Sequence, residues 1–140
     1  MIRYANNLDH INEAKLEGGF FAGWPNPPSA VVHMQILKGS YLVWLAIESE
    51  SDNVVGFVNA ISDGVLSAYI PLIEVLPEYH NQGIGKELMK RMLDSLKHLY
   101  MIDLLCDAKL QAYYRKLGMI EATGMFVRNY DRQAGDSPHG

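Results

Sequence analysis

The chain has 140 residues, 49% of them hydrophobic and 20% charged, which is room for one domain with its own core. A net charge of −4 with no basic run argues against a nucleic-acid partner. The single cysteine excludes an internal disulfide, and no Cys/His cluster has metal spacing. Residues 1–7 hold no apolar leader and no apolar run reaches membrane-spanning length, so a cytoplasmic protein without metal or membrane contact is expected.

Ile2-Arg3-Tyr4-Ala5 reads as a short first strand. Asp9 then reads as the N-cap of a short helix carrying Ile11, Ala14 and Leu16, ended by Gly18-Gly19. Phe20 to Pro28 follows, and its three prolines and one glycine forbid a regular element. Its two Phe and one Trp are costly to leave in water. Ser29 caps a second helix through Val31, Val32, Met34, Ile36 and Leu37, ending at Gly39. His33 and His98 are expected to be exposed helix residues. Tyr41 to Ile47 and Val54 to Ile61 form a hairpin around the polar stretch 48–53. Asp63-Gly64 turns the chain into a third strand, Val65 to Leu76. Pro71 inside it marks an edge, bend or bulge, because proline donates nothing to a ladder.

The stretch Leu76 to Leu88 joins that strand to the longest helix, from about Gly83 to Tyr100, whose stripe is Ile84, Leu88, Met92, Leu96 and Leu99. Two glycines in the first helical turn cost up to about 1 kcal/mol each against alanine. Lys86 stands at the positive end of the helix dipole. An anion docked on the free N–H groups explains both features; a tight strand–helix turn explains the glycines alone. A P-loop is excluded, since His80 and Glu87 stand where it needs glycine and Ser or Thr. A dinucleotide fingerprint is excluded by Leu88 at its third glycine.

Met101 to Cys106 reads as a buried parallel strand. Asp107 caps a helix from about Lys109 to Leu117, stopped by Gly118. A strand from about Gly124 to Tyr130 is expected to close the sheet. Residues 1–131 make one domain, and 132–140 are expected to fray.

Val75-Leu76-Pro77-Glu78-Tyr79, followed by Asn81-Gln82-Gly83-Ile84-Gly85, resembles the signature of the GNAT N-acetyltransferase superfamily. His80 stands where that family usually has Gln or Arg. Ala112 to Met119 resembles a second family motif, Tyr-x-Lys-Leu-Gly-Phe, with Met119 in place of Phe. The resemblance spans Val54 to Tyr130. It implies an α/β (α+β) fold: a mixed, mainly antiparallel sheet flanked by helices, with splayed parallel strands that open a slot for acetyl-CoA. It implies that backbone groups of Ile73 and Val75 hold pantetheine, and that His80, Asn81, Gln82, Gly83, Ile84, Gly85 and Lys86 grip pyrophosphate.

The same resemblance makes Tyr114 the acid toward the leaving thiolate, where the bland alternative is a packed core tyrosine. Glu74 is the ionisable residue of its apolar strand and a candidate base; a water-borne proton or a salt-bridged glutamate is the alternative. The loop of Trp24 and Asn26 either forms an acceptor pocket or plugs the core edge. Cys106 reads as a packed apolar residue. The implied reaction moves an acetyl group from acetyl-CoA directly to a primary amine of a small molecule or peptide, with a homodimer compatible. The alternative is an acyl-CoA-binding protein without turnover.

Overall fold

The computed structural model describes residues 1–135. Its sheet has the order β1-β2-β3-β4-β5, with β1 (Ile2–Ala5), β2 (Leu42–Glu48), β3 (Val54–Ser62), β4 (Ser67–Val75) and β5 (Met101–Asp103). The helices are α1 (Ala30–Gly39), α2 (Ile84–Ser95) and α3 (Gln111–Lys116). The first four strands pair antiparallel, and β5 joins β4 in parallel. This is the mixed architecture the sequence predicts.

β3 is central and buried from Val54 to Ala60. A Cβ on Gly56 would lie 3.1 Å from Leu88 Cδ1, so this glycine lets α2 approach the sheet. The inner face of α2 is Ile84, Leu88, Met89 and Met92. The α-helix ends at Ser95 rather than Tyr100. Tighter bonds, Lys97 N–H to Asp94 O and Leu99 N–H to Leu96 O, complete the descent and keep Leu96 and Leu99 buried.

Asp63 Oδ1 accepts the N–H groups of Val65, Leu66 and Ser67. These bonds hold its carboxyl below the usual range and fix the turn into β4. Along β4 the register jumps from Asn59↔Leu72 to Ile61↔Tyr69. Ile70 and Pro71 therefore oppose Ala60 alone, and the bulge falls at the proline.

Four further expectations need correction. No helix starts at Asp9: His10 sits at φ 64, and Asn12 instead caps a 3-10 turn over Glu13–Leu16. The strand after α2 stops at Asp103, and its outer residues Met101 and Asp103 are exposed. No strand forms over 124–130; residues 119–129 carry no regular element, and a 3-10 turn covers Tyr130–Arg132. A strand needs a partner edge, and this segment lies across a groove from β5 rather than on it. Of the tail expected from 132, residues 132–135 finish that turn and 136–140 lie outside the described residues.

The fourth correction is His33, which is 1% exposed. Ser29 Oγ caps α1 by accepting from Val32 N–H, and from that start Ala30, His33, Met34 and Leu37 share one face. His33 lies among Phe20, Phe21 and Phe57, with ring centroids 5.2, 5.0 and 4.4 Å away. Its Nε2 is buried without a hydrogen-bond partner among the described residues. Desolvation lowers its pKa to about 4. The unfolded chain takes up this proton near pH 6.5 and the folded chain only near 4. Stability is therefore full above pH 6.5 and is lost as pH falls toward 4, by up to about 1.4 kcal/mol per pH unit. His33→Leu should flatten this part of the curve in denaturant titrations. An equally steep loss in the variant would assign it to other groups.

Candidate active site

β5 pairs with β4 only through Ser67, Ala68 and Tyr69. Beyond the Ile70-Pro71 bulge the two segments part, and β4 runs on to Val75 with one side free of ladder. In an antiparallel pair, backbone groups alternate between facing the neighbour and facing away. Leu76 N–H bonds Val55 O at 2.8 Å, so Leu76 and Glu74 face β3. Ile73 and Val75 then turn their N–H and C=O groups toward the gap. The side chain of His80 uses this arrangement: its Nε2 lies 2.7 Å from Val75 O. Since a carbonyl only accepts, Nε2 carries the proton of that bond. The His80 ring thus reaches back to the strand.

At the far end of the gap stands the N-terminus of α2. Asn81 and Gly83 are both left-handed, at φ 63 and 80. Gly83 is the N-cap, and no side chain caps the helix. The first intrahelical bond runs from Glu87 N–H to Gly83 O, leaving the N–H groups of Ile84, Gly85 and Lys86 without helical partners. A Cβ at Gly83 would meet nothing within 4 Å, whereas one at Gly85 would touch Val75 Cγ2 at 3.7 Å. Gly83 therefore faces open space, and Gly85 sets the helix against β4. These residues fit a phosphate-bearing ligand with an extended arm: donors without helical partners at a positive helix end, then strand groups without ladder partners along the gap, of which Val75 O is taken by His80.

Glu74 projects from β4 to the face that carries α1. Phe21 N–H donates to its Oε1 at 2.7 Å, with Phe21 held at φ 64. Burial pushes the Glu74 carboxyl above its usual pKa, while the Phe21 and Ala22 N–H groups and nearby His80 pull the other way. The loop after residue 19 divides its aromatics. Phe20 and Phe21 are buried, whereas Trp24 is 38% exposed and its ring packs tilted against Phe21, with centroids 5.0 Å apart. The two phenylalanines are the plug, and the tryptophan remains available at the surface. Asn26 N–H donates to Gln133 Oε1 at 2.8 Å, tying this loop to the C-terminal segment.

Tyr114 stands on the β5 side of the gap, 9% exposed, with the Tyr113 ring edge-on at 5.1 Å. It lines a cavity of about 680 Å³ with Tyr69, Asp103 and Cys106. Burial raises its pKa, and Cys106 and Tyr113 add to the shift. A phenol so placed keeps its proton at neutral pH, as a donor must. Gly118, at φ 95, ends α3, and Met119 N–H closes on Tyr114 O. The motif's Gly thereby fixes the turn that carries the tyrosine.

Glu74 stands on β4 against the Phe21 loop, and Tyr114 stands on α3 in a cavity whose lining does not include Glu74, Ile73 or Val75. The hold of Phe21 and Ala22 N–H on Glu74 has no sequence signal, since it joins residues 53 apart. Among the described residues no group of three or more His, Cys, Asp or Glu is arranged to hold a metal, and no helix is long and apolar enough to cross a membrane.

A mixed sheet whose parallel strands part beside a glycine-opened helix is the arrangement that the sequence resemblance implies. The profile of the acetyltransferase (GNAT) family matches residues 10–119, and the chain belongs to that family. It is 44% identical to a Deinococcus radiodurans R1 crystal structure described as a candidate acetyltransferase, with a TM-score of 0.92 over 97% of this chain and 94% of that one. A GNAT-family acetyltransferase from Streptococcus pneumoniae TIGR4 is 30% identical, with a TM-score of 0.72 over 92% of this chain and 98% of that one. The chloroplastic GCN5-related N-acetyltransferase 1 of Arabidopsis thaliana is 29% identical over 81% of this chain. This chain spans 56% of that relative's length. The family is one of acetyltransferase enzymes that generally use acetyl-CoA and act on amines.

Proposed function

We propose that this chain transfers an acetyl group from acetyl-CoA directly to a primary amine of a small molecule or peptide. One observation carries the reading: the gap lined by Ile73 and Val75 leads to the uncapped, glycine-opened start of α2. When bound, acetyl-CoA supplies the activated thioester. Val75 and Ile73 backbone groups align its arm, and the N–H groups from Gly83 to Lys86 hold its phosphates, with Asn81 and Gln82 shaping the loop. His80 acts through its bond to Val75 O. Glu74 accepts the amine's proton, and burial raises its proton affinity for that task. Tyr114 donates a proton to the departing sulfur. Trp24 and Asn26 border the acceptor. The domain is proposed to extend over 1–131. The cytoplasm is our proposed compartment; the Arabidopsis relative is chloroplastic by name.

A thermal-shift panel tests the cofactor. Acetyl-CoA at about 100 times its Kd should stabilise the fold by about 2.7 kcal/mol, while ATP and NAD leave the midpoint unmoved. An amine screen with thiol-release detection then identifies the acceptor. A shift with ATP or NAD but not acetyl-CoA sinks the proposal. Binding of acetyl-CoA with no amine acetylated favours a non-catalytic acyl-CoA binder.

A further inference from the structure

Cys106 is the sole cysteine of the chain and is half-buried rather than sealed in the core. Its place follows from the register of the parallel pair. Tyr69 faces Asp103 at the last rung, and β4 then breaks into its bulge at Ile70 and Pro71. Cys106 lies as far past Asp103 as Leu72 lies past Tyr69. Carried past the last rung, the register brings Cys106 level with Leu72 and next to Ile73. Cys106 also lines the cavity of about 680 Å³ that begins at Tyr69. A cysteine alone marks nothing. The second observation is Tyr114, which lines the same cavity and is 9% exposed. Among the described residues its hydroxyl bonds no other group. Yet that oxygen is not sealed off, because the buried side-chain polar atoms left without a partner are His33 Nε2 and Asn59 Oδ1. The hydroxyl therefore opens into the cavity. A donor held there without an acceptor points to an atom of a ligand.

We propose that Cys106 is a site of reversible modification by coenzyme A, through a mixed disulfide with the thiol at the end of its pantetheine arm. The inference rests on the donor site proposed above. An arm that starts at the N-terminus of α2 and passes Val75 and Ile73 carries its sulfur to the level of Cys106, in the cavity that also holds Tyr114. The reagent is the disulfide of coenzyme A. The Cys106 thiolate attacks one of its two sulfurs and the bond between them breaks. The second coenzyme A leaves as a thiolate and takes up the proton that Cys106 gave away. One disulfide replaces another, so no further oxidant is needed, and a dithiol reductant reverses the step. While bonded, the adduct keeps its phosphates on the N–H groups from Gly83 to Lys86 and fills the gap, which excludes acetyl-CoA. A disulfide without a phosphate-bearing arm, such as that of glutathione, gains nothing from those groups.

Intact-mass measurement on the full chain treated with coenzyme A disulfide tests the adduct, and calorimetry of acetyl-CoA on the untreated chain tests the donor site separately. The wild type should gain the mass of one coenzyme A, lose it again in dithiothreitol, and bind no acetyl-CoA while modified. Saturating acetyl-CoA should protect the thiol. Glutathione disulfide should react at least about tenfold more slowly, since only the coenzyme A reagent is held beside the thiol. Cys106→Ser combined with Val65→Cys moves the thiol to the exposed turn before β4. There the two disulfides should react at similar rates, and acetyl-CoA should give no protection. Three results in a chain that binds acetyl-CoA would overturn this inference and leave the donor site standing: no adduct, an adduct formed as fast by glutathione disulfide, or one that acetyl-CoA does not prevent. A chain that binds no acetyl-CoA would overturn both.

Discussion

Replacing Tyr114 by phenylalanine is expected to slow acetyl transfer by about 10²–10⁴-fold while leaving acetyl-CoA affinity nearly unchanged. In the proposed reaction the phenol meets the leaving sulfur only as the thioester breaks, so its loss belongs in the chemical step. The ring is retained, and with it the edge-on contact to Tyr113 and the packing of a side chain that is 9% exposed. Tyr113→Phe is the control. Its ring is partly buried against the same core, so removing only its oxygen should leave the rate close to wild type. Single-turnover transfer and calorimetric binding separate the two effects. A wild-type rate for Tyr114→Phe, measured where chemistry limits, would return Tyr114 to the role of a core residue.

The second large effect is expected at the start of α2. Gly83→Asn and Gly85→Val should each weaken acetyl-CoA binding by about tenfold or more, or about 1.4 kcal/mol. They act differently. Asparagine tolerates the left-handed backbone that Gly83 adopts, so its penalty reports a side chain standing in the space an anion would occupy. Valine at Gly85 pushes on Val75 Cγ2, already 3.7 Å from a hypothetical Cβ, and so disturbs the wall of the gap. Calorimetry measures affinity, and thermal midpoints check the fold. Undiminished affinity in both variants would discard the phosphate cradle.

Much of this was readable in the sequence because it was local. The Ser29 cap, the Asp63-Gly64 turn, the glycine-opened helix and the interruption at Pro71 each rest on a few adjacent residues. Misreadings arose where distant parts decide. His33 looked like an exposed polar residue because Val31 and Val32 drew the apolar face to themselves, yet spacing from Leu37 places it inside and Val31 outside. Gly124 to Tyr130 has strand composition, but composition does not supply an edge to pair with. The strand after α2 is shorter than its apolar run, which continues past Asp103, because the bulge on β4 ends the ladder at Tyr69. The hold of Phe21 on Glu74 was illegible, since nothing at either residue points to the other.

That last bond links protonation to the shape of the loop bearing Trp24. Phe21 sits in a left-handed conformation that costs a bulky residue about 1–2 kcal/mol, and the Glu74 carboxylate is the anchor that its N–H holds. The bond favours the charged carboxyl; by reciprocity, the charged carboxyl favours the strained loop by the same free energy. In the proposed cycle Glu74 is neutralised when it takes the amine's proton. The anchor would weaken at that moment, leaving Phe21 held by its packing alone. Capture and discharge of the acceptor would then be governed by the whereabouts of one proton.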